Sequence, residues 1–559
     1  MSEQTSTPRA RERRVRWAGP LLCALAVLAS VAFGVSTASV EANLGPHAAR
    51  YAMTTDDTVT VDLGPLGTLE VDSPLPLDLG VRVTVQEIPE TFTQVDQAMT
   101  LQALSGDLHS YVQLFSDPKA TVVVVARAMV LDALGRAVTA LAVLVGLWFA
   151  GRALLGSSRR SELAAHARAH RRQVWVAATA VVVLVVVVGA DGHVVGRPEA
   201  RPEASPVFDG TALEGARVTG RLAGVIDTYG AQALDAYERN QAFYARADEA
   251  LAVSWDRTSA QLAQAQDLFG PGAGPVAPER DVQTLVVVSD IHCNTGMAPL
   301  ITTLVRRSGA SVVLDAGDTT MNGTAVEQFC VGAIARAVPS GVDLVTSPGN
   351  HDSAETSAMY AKAGATVLEG KVVEVDGLRI LGDHDPNETR VGVGTSTAGT
   401  ESEAQETARL ADVACDDDKG VDLLLIHTPW VGDDTLARGC VPAQVSGHLH
   451  RQVGPEVVGL GVRYVSSSTA GATLGQPTIG PLHGTAAMTV LHVDRETHRV
   501  RDYQLVHVRT NGTVEVSMPQ EWPALPVLPP ATPPVPGVPA LDVPGSSPSA
   551  DPTGAGQVG

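Results

Sequence analysis

Between residues 281 and 510 one pattern recurs and leaves few folds open. An apolar run of strand length ends, and an Asp, Asn or His follows almost at once. "LVVVSDIH" delivers Asp290 and His292, "VVLDAGD" delivers Asp318, and "LVTSPGNHD" delivers Asn350, His351 and Asp352. "LLLIHTP" delivers His427, and "QVSGHLH" delivers His448 and His450. Helix-like stretches separate these runs, and such alternation predicts an α/β layered core. In open α/β sheets ligands collect outside the carboxyl ends of strands, so five strand ends can pool their side chains at one rim. The i, i+2 spacings of Asp290 with His292 and of His448 with His450 fit residues that point the same way on one strand end.

The donor set says what such a rim could hold. With His351 and Asp352 set aside, it comprises two aspartates, one asparagine and four histidines. One metal with open positions needs about three protein ligands. Seven donors suit two divalent ions that share a bridging carboxylate. Mixed imidazole and carboxylate ligands suit zinc, iron or manganese.

Taken in order, Asp290-Ile-His292, Gly317-Asp318 with Gly323, Gly349 to Asp352, His427 and Gly447-His448-Leu449-His450 resemble the calcineurin-like metallophosphoesterase superfamily. The resemblance covers about residues 281–510. It implies a four-layer α/β/β/α sandwich and a metal-dependent phosphoric ester hydrolase. Asp290, His292 and His450 would hold one ion, Asn350, His427 and His448 the other, and Asp318 would bridge them. A hydroxide bridging the ions would attack phosphorus. His351 would not be a ligand but the acid for the leaving oxygen, with Asp352 orienting its imidazole. Asp352 could also cap a helix starting at "SAETSAMYAKAG". Many relatives carry an Asp where this chain has Met321, so altered loop support or substrate contact is expected there. Monoesters and diesters both remain open as substrates. The alternative is a catalytically silent phosphoesterase fold that binds or signals; it would be marked by missing ligands, and all seven are present.

The first half of the chain reads differently. A basic N-terminus (1–17) precedes an apolar segment (18–39), expected as a transmembrane helix or, alternatively, a signal peptide cut near Ala38 or Ala42. Further spans are expected at 131–154 and 174–190, around an Arg-rich loop (155–173). The positive-inside rule puts that loop and the N-terminus in the cytoplasm. A multi-pass plasma-membrane protein follows, with a lipid bilayer as partner. Residues 40–130 would form an extracytoplasmic β-rich segment, 191–280 a linker and helical stalk, its amphipathic helix serving as a stalk or as a packing layer, and 281–510 an extracytoplasmic phosphoesterase domain. The Pro-rich tail, 511–559, is expected to be disordered. The formal net charge of −21 argues against a nucleic-acid-binding surface.

Cys293, Cys330, Cys415 and Cys440 all fall in the outer domain. Local order suggests the disulfides Cys293–Cys330 and Cys415–Cys440, with buried free thiols as the rival. His384 is a solvated loop histidine or an additional site residue. The acidic loop from about 383 to 420 is a lid or an insertion.

Overall fold

In the strand Val282–Val288, Leu285 and Val287 face one side and Val286 and Val288 the other, and all four are fully buried. A strand buried on both faces needs a layer on each side. The computed structural model describes residues 18–44, 47–64, 67–86, 118–156, scattered positions from 158 to 176, 203–210, 213–269, 282–324, 327–390, 393–473, 478 and 481–526.

The first half opens with helix α1 (Ala18–Ser36), then strands β1 (Ser39–Leu44), β2 (His47–Thr54), β3 (Thr58–Asp62), β4 (Thr68–Asp72) and β5 (Gly80–Val85), then helix α2 (Pro118–Leu154). Strand β6 (Arg217–Val218) joins them in the sheet order β1-β2-β5-β3-β4-β6. The segment expected as a linker therefore supplies an edge strand to the β-rich module.

Of the three expected membrane spans, one candidate is found among the described residues. Val125–Leu154, within α2, is long and apolar enough to cross a bilayer. Its start is committed elsewhere: Val125 and Met129 are buried against Ala49, Tyr51 and Val83 of the sheet. Asp132 accepts from the Ser39 amide at 2.9 Å and pairs with Arg136 at 2.7 Å. In the first segment, Cys23–Ser36 is only a shorter apolar helix. It packs along α2, where a Cβ at Gly34 would stand 2.3 Å from the Ala133 carbonyl oxygen. The segment 174–190 lies outside the described residues except for Val176.

The second half begins with helix α3 (Gly220–Phe269), followed by β7 (Val282–Val288), α4 (Ala298–Ser308), β8 (Val312–Asp315), α5 (Gln328–Ala337), β9 (Asp343–Thr346), α6 (Ala354–Lys362) and β10 (Thr366–Val367). Next come β11 (Val373–Val375), β12 (Leu378–Leu381), the hairpin β13 (Asn387–Arg390) and β14 (Gly394–Thr397), α7 (Glu403–Asp416), β15 (Leu423–Leu425), α8 (Asp433–Ala437), β16 (Ala443–Ser446), β17 (Val453–Val458) and β18 (Gly461–Val465). The strands β19 (Ala486–Asp494), β20 (Val500–Val508), β21 (Val514–Val516) and β22 (Gln520–Glu521) complete the order. One sheet runs β10-β9-β8-β7-β19-β20-β21 with β22 on β20, and the other runs β11-β12-β15-β16-β18-β17. Leu285, Val287 and Leu314 of the first sheet meet Ile380, Leu425, Val445 and Tyr464 of the second in a central core. On the outer face of the first sheet, Val286, Val288 and Val313 pack with Leu300, Leu304 and Ile334 of the helices. On the outer face of the second, Leu424 and Ile426 pack with Leu410 and Ala414 of α7. These three cores separate four layers, α/β/β/α.

Two expected boundaries shift. Helix α3, expected as a stalk or a packing layer, is a packing layer: it belongs to the first helical layer through buried Phe243, Tyr244, Ala247 and Leu251. Its Thr258 hydroxyl donates to the Val516 carbonyl at 3.1 Å. The expected tail is ordered in its first part: β21 and β22 pair with β20, and buried Trp522 packs beside Tyr464 and Tyr503. Residues 527–559 lie outside the described residues. Disulfides join Cys293 to Cys330 and Cys415 to Cys440, closing separations of 37 and 25 residues. Loops of that size stabilise by roughly 3–4 kcal/mol each in the chain-entropy account.

Candidate metal centre

The seven donors come together at the carboxyl ends of β7, β8, β9, β15 and β16. Regular strand geometry does not carry all of them inward. Asp290, His292, Asp318, His448 and His450 take positive φ values of 52°, 44°, 58°, 73° and 52°. Left-handed backbone at a residue with a side chain costs roughly 1–3 kcal/mol and persists where the surroundings over-determine it. Here neighbouring loops do so: the Asp290 amide donates to the Gly317 carbonyl, and the His292 amide to the Asp318 carbonyl, both at 2.9 Å. Gly349 lets the third loop approach, since a Cβ there would stand 2.2 Å from Asp318 Oδ1.

Two clusters share one carboxylate. In the first, His292 Nε2 lies 2.9 Å from His450 Nε2, which lies 3.4 Å from Asp290 Oδ1. In the second, Asn350 Oδ1 lies 3.0 Å from His427 Nε2 and 2.9 Å from His448 Nδ1. Asp318 Oδ2 is 3.2 Å from His427 Nε2 and 3.9 Å from His292 Nε2, so it reaches both. Its other oxygen accepts from the His351 amide at 2.8 Å.

The residues fit a pair of cations. Asp290 and Asp318 are buried carboxylates, which need compensating charge. His427 Nδ1 donates to the Ala316 carbonyl at 2.6 Å, which fixes its tautomer and turns Nε2 toward Asp318 and Asn350. Burial would lift the Asp318 carboxyl, yet His427, His351 and His292 hold it well below the usual range. Burial opposes a charge on His427, yet Asp318, Asp290 and Asp385 push its pKa well up. His292, by contrast, is pushed by burial down to about 4, the neutral form a metal ligand requires. Its buried Nδ1 has no hydrogen-bond partner.

His351 lies edge-on to His292, with ring centroids 5.0 Å apart, close enough to group with His292 and Asp318 around a possible ion. Its Nδ1 bonds to the Met321 carbonyl at 2.7 Å. This corrects the role expected of Asp352. That carboxylate accepts instead from the amides of Asp318, Gly349 and Thr320 and from the Thr320 hydroxyl. Asp352 therefore locks the turn, and burial with the Asp318 charge raises its pKa. Ser353, rather than Asp352, caps α6. Met321, the departure from the family pattern, orients His351 through a backbone atom that any residue would supply.

Three supporting residues escaped the sequence reading. Glu327 accepts from the amides of Met321, Asn322 and Thr324, fixing the loop that holds His351. Its spacing from Thr324 is that of a capping box, a signal that was legible. Asp315 accepts from the Thr319 and Thr346 hydroxyls, and burial with Asp352 nearby pushes its pKa up to about 6. Arg390, on β13, donates to the Asn350 carbonyl at 3.1 Å and to the Asp352 carbonyl at 3.0 Å. His384 belongs to none of the possible metal-binding groups among the described residues.

A four-layer α/β/β/α core with paired Asp/His clusters at its strand ends defines a candidate metal centre. Residues 284–452 match the family described as calcineurin-like phosphoesterase, and this segment is such a domain. No curated protein matches the chain. Among solved structures, a dimetal phosphatase from Danio rerio is 14% identical, with 44% of this chain and 100% of that one covered and a TM-score of 0.29. Haemophilus influenzae NAD nucleotidase is 13% identical, with 43% of this chain covered, half of that one, and a TM-score of 0.25. Chaetomium thermophilum Vps29 is 15% identical, with 43% and 100% covered and a TM-score of 0.23.

Proposed function

We propose that this protein is a membrane-anchored phosphoesterase that hydrolyses phosphate mono- or diesters on the extracytoplasmic face. One observation carries the reading: seven donors of the types manganese, iron or zinc prefer converge in two clusters around the shared Asp318 carboxylate. Two divalent ions held there would lower the pKa of water and neutralise the phosphoryl oxygens. Asp290, His292 and His450 would hold one ion and Asn350, His427 and His448 the other. The chain's own part is positional. The Met321 carbonyl holds the Nδ1 proton of His351, so a second proton taken up on Nε2 would be the one the imidazolium hands to the leaving oxygen. Asp352 keeps the turn from shifting Asn350 and His351 apart.

The outer location is supported by the Arg-rich segment before residue 174 and by two disulfides, which persist in oxidising compartments. The test is an assay of the purified full chain with nitrophenyl phosphate and bis(nitrophenyl) phosphate, after chelation and reloading with manganese, zinc or iron. Hydrolysis restored by metal is expected. Two ions bound with neither ester hydrolysed would refute the enzymatic reading.

A further inference from the structure

A cavity of about 460 Å³ lies between the turn Pro348–Gly349, residues 383–388 and helix α7. Six carboxyl groups line it against two arginines and one histidine. Most of this charge is spoken for. Arg409 pairs with Asp383 at 2.6 Å and with Glu401 at 2.9 Å, and Arg390 pairs with Glu388 at 3.2 Å. Asp385 accepts from the Asn387 amide and the Thr428 hydroxyl. Glu406 is left over. It is 3% exposed, lines the cavity, and its Oε1 has no hydrogen-bond partner. Burial, with Asp383, Asp385 and Glu401 nearby, outweighs the Arg409 guanidinium and pushes its pKa up to about 8. A buried acceptor without a donor is costly, and the surrounding carboxylates disfavour an anion.

We propose that this cavity binds a small organic ammonium compound, with Glu406 releasing its proton to solvent on binding and the resulting carboxylate as the charged partner. A divalent metal is the poorer fit. It needs several converging oxygen ligands, and among the described residues the only possible metal-binding groups are those of the metal centre. An ammonium needs one carboxylate and a few acceptors, and the volume falls in the range of small-molecule pockets. Gly349 and Asp352 form part of the wall, so an occupant would press on the turn that carries Asn350 and His351. The inference does not depend on the phosphoesterase reading.

The probe is n-butylammonium chloride, titrated calorimetrically into the detergent-purified full chain at pH 7, with n-butanol as its neutral counterpart and calcium chloride as the metal arm. The ammonium should bind at least tenfold more tightly than the alcohol, and Glu406→Gln should weaken it at least tenfold without changing metal content at Asp318. If Glu406→Gln does not fold, Glu406→Asp serves, with weakened binding expected. Equal binding of amine and alcohol, unchanged binding in the variant, no binding of the amine, or calcium binding that depends on Glu406 would each overturn the proposal.

Discussion

The two halves of the metal centre use the same residue types and are held differently. His427 is fully enclosed, with its Nδ1 fixed on the Ala316 carbonyl. Its partner Asn350 sits in a turn whose carbonyl takes bonds from the Thr389 amide and from Arg390. In the other half Asp290 and His292 are just as buried, but His292 Nδ1 has no hydrogen-bond partner. The His450 side chain, 34% exposed, makes its ring contacts among the described residues to His292 and Asp290. Ligands oriented by outer bonds hold metal more tightly than unsupported ones. The enclosed half should keep its ion when the open half loses one, and a chelator should remove the two in separate steps.

The largest effect should come from Asp318→Asn, because that carboxylate serves both halves. Loss of both ions and a fall in kcat/KM of about 10³ or more are expected, since several kcal/mol of charge stabilisation are at stake. Metal analysis and kinetics check this together. Next, His427→Ala should empty the enclosed half and weaken the other, whereas His450→Ala should raise the metal requirement of the open half alone. Equal chelator sensitivity of the two variants would dissolve the asymmetry. A smaller effect is expected for Arg390→Ala, which frees the back of the turn: about 10- to 100-fold in metal affinity or turnover, read by metal titration.

The smallest effect concerns the acidic cavity. Glu406 has its pKa raised from an ordinary 4.5 to about 8, so the folded chain binds more protons than the unfolded chain between those values. Stability from this group therefore falls as pH climbs from about 4.5 to 8 and levels off above. Without added amine, Glu406→Gln should be relatively more stable at pH 8.5 than at pH 5, by thermal unfolding at both values.

What was legible in the sequence was local. An apolar run followed by Asp, Asn or His marks a strand end, and strand ends of a parallel sheet meet by topology, so the seven donors could be assembled without coordinates. What was not legible was long-range. Arg390 reaches back 40 residues to Asn350, and nothing in "NETR" announces that target. β6 pairs with β4 across more than half the first segment, and α3 reads equally well as a free amphipathic helix or a packed one. Asp352 was misassigned because adjacency to His351 suggested a contact, while the turn geometry points its carboxylate at the Asp318 and Gly349 amides.

The division between ligands and acid is tested most directly by metal content and turnover measured on one sample of His351→Ala. Two ions retained per chain, with turnover reduced by about 10²–10⁴, is the expected result. Loss of an ion from this variant, or undiminished hydrolysis with both ions bound, would contradict the account.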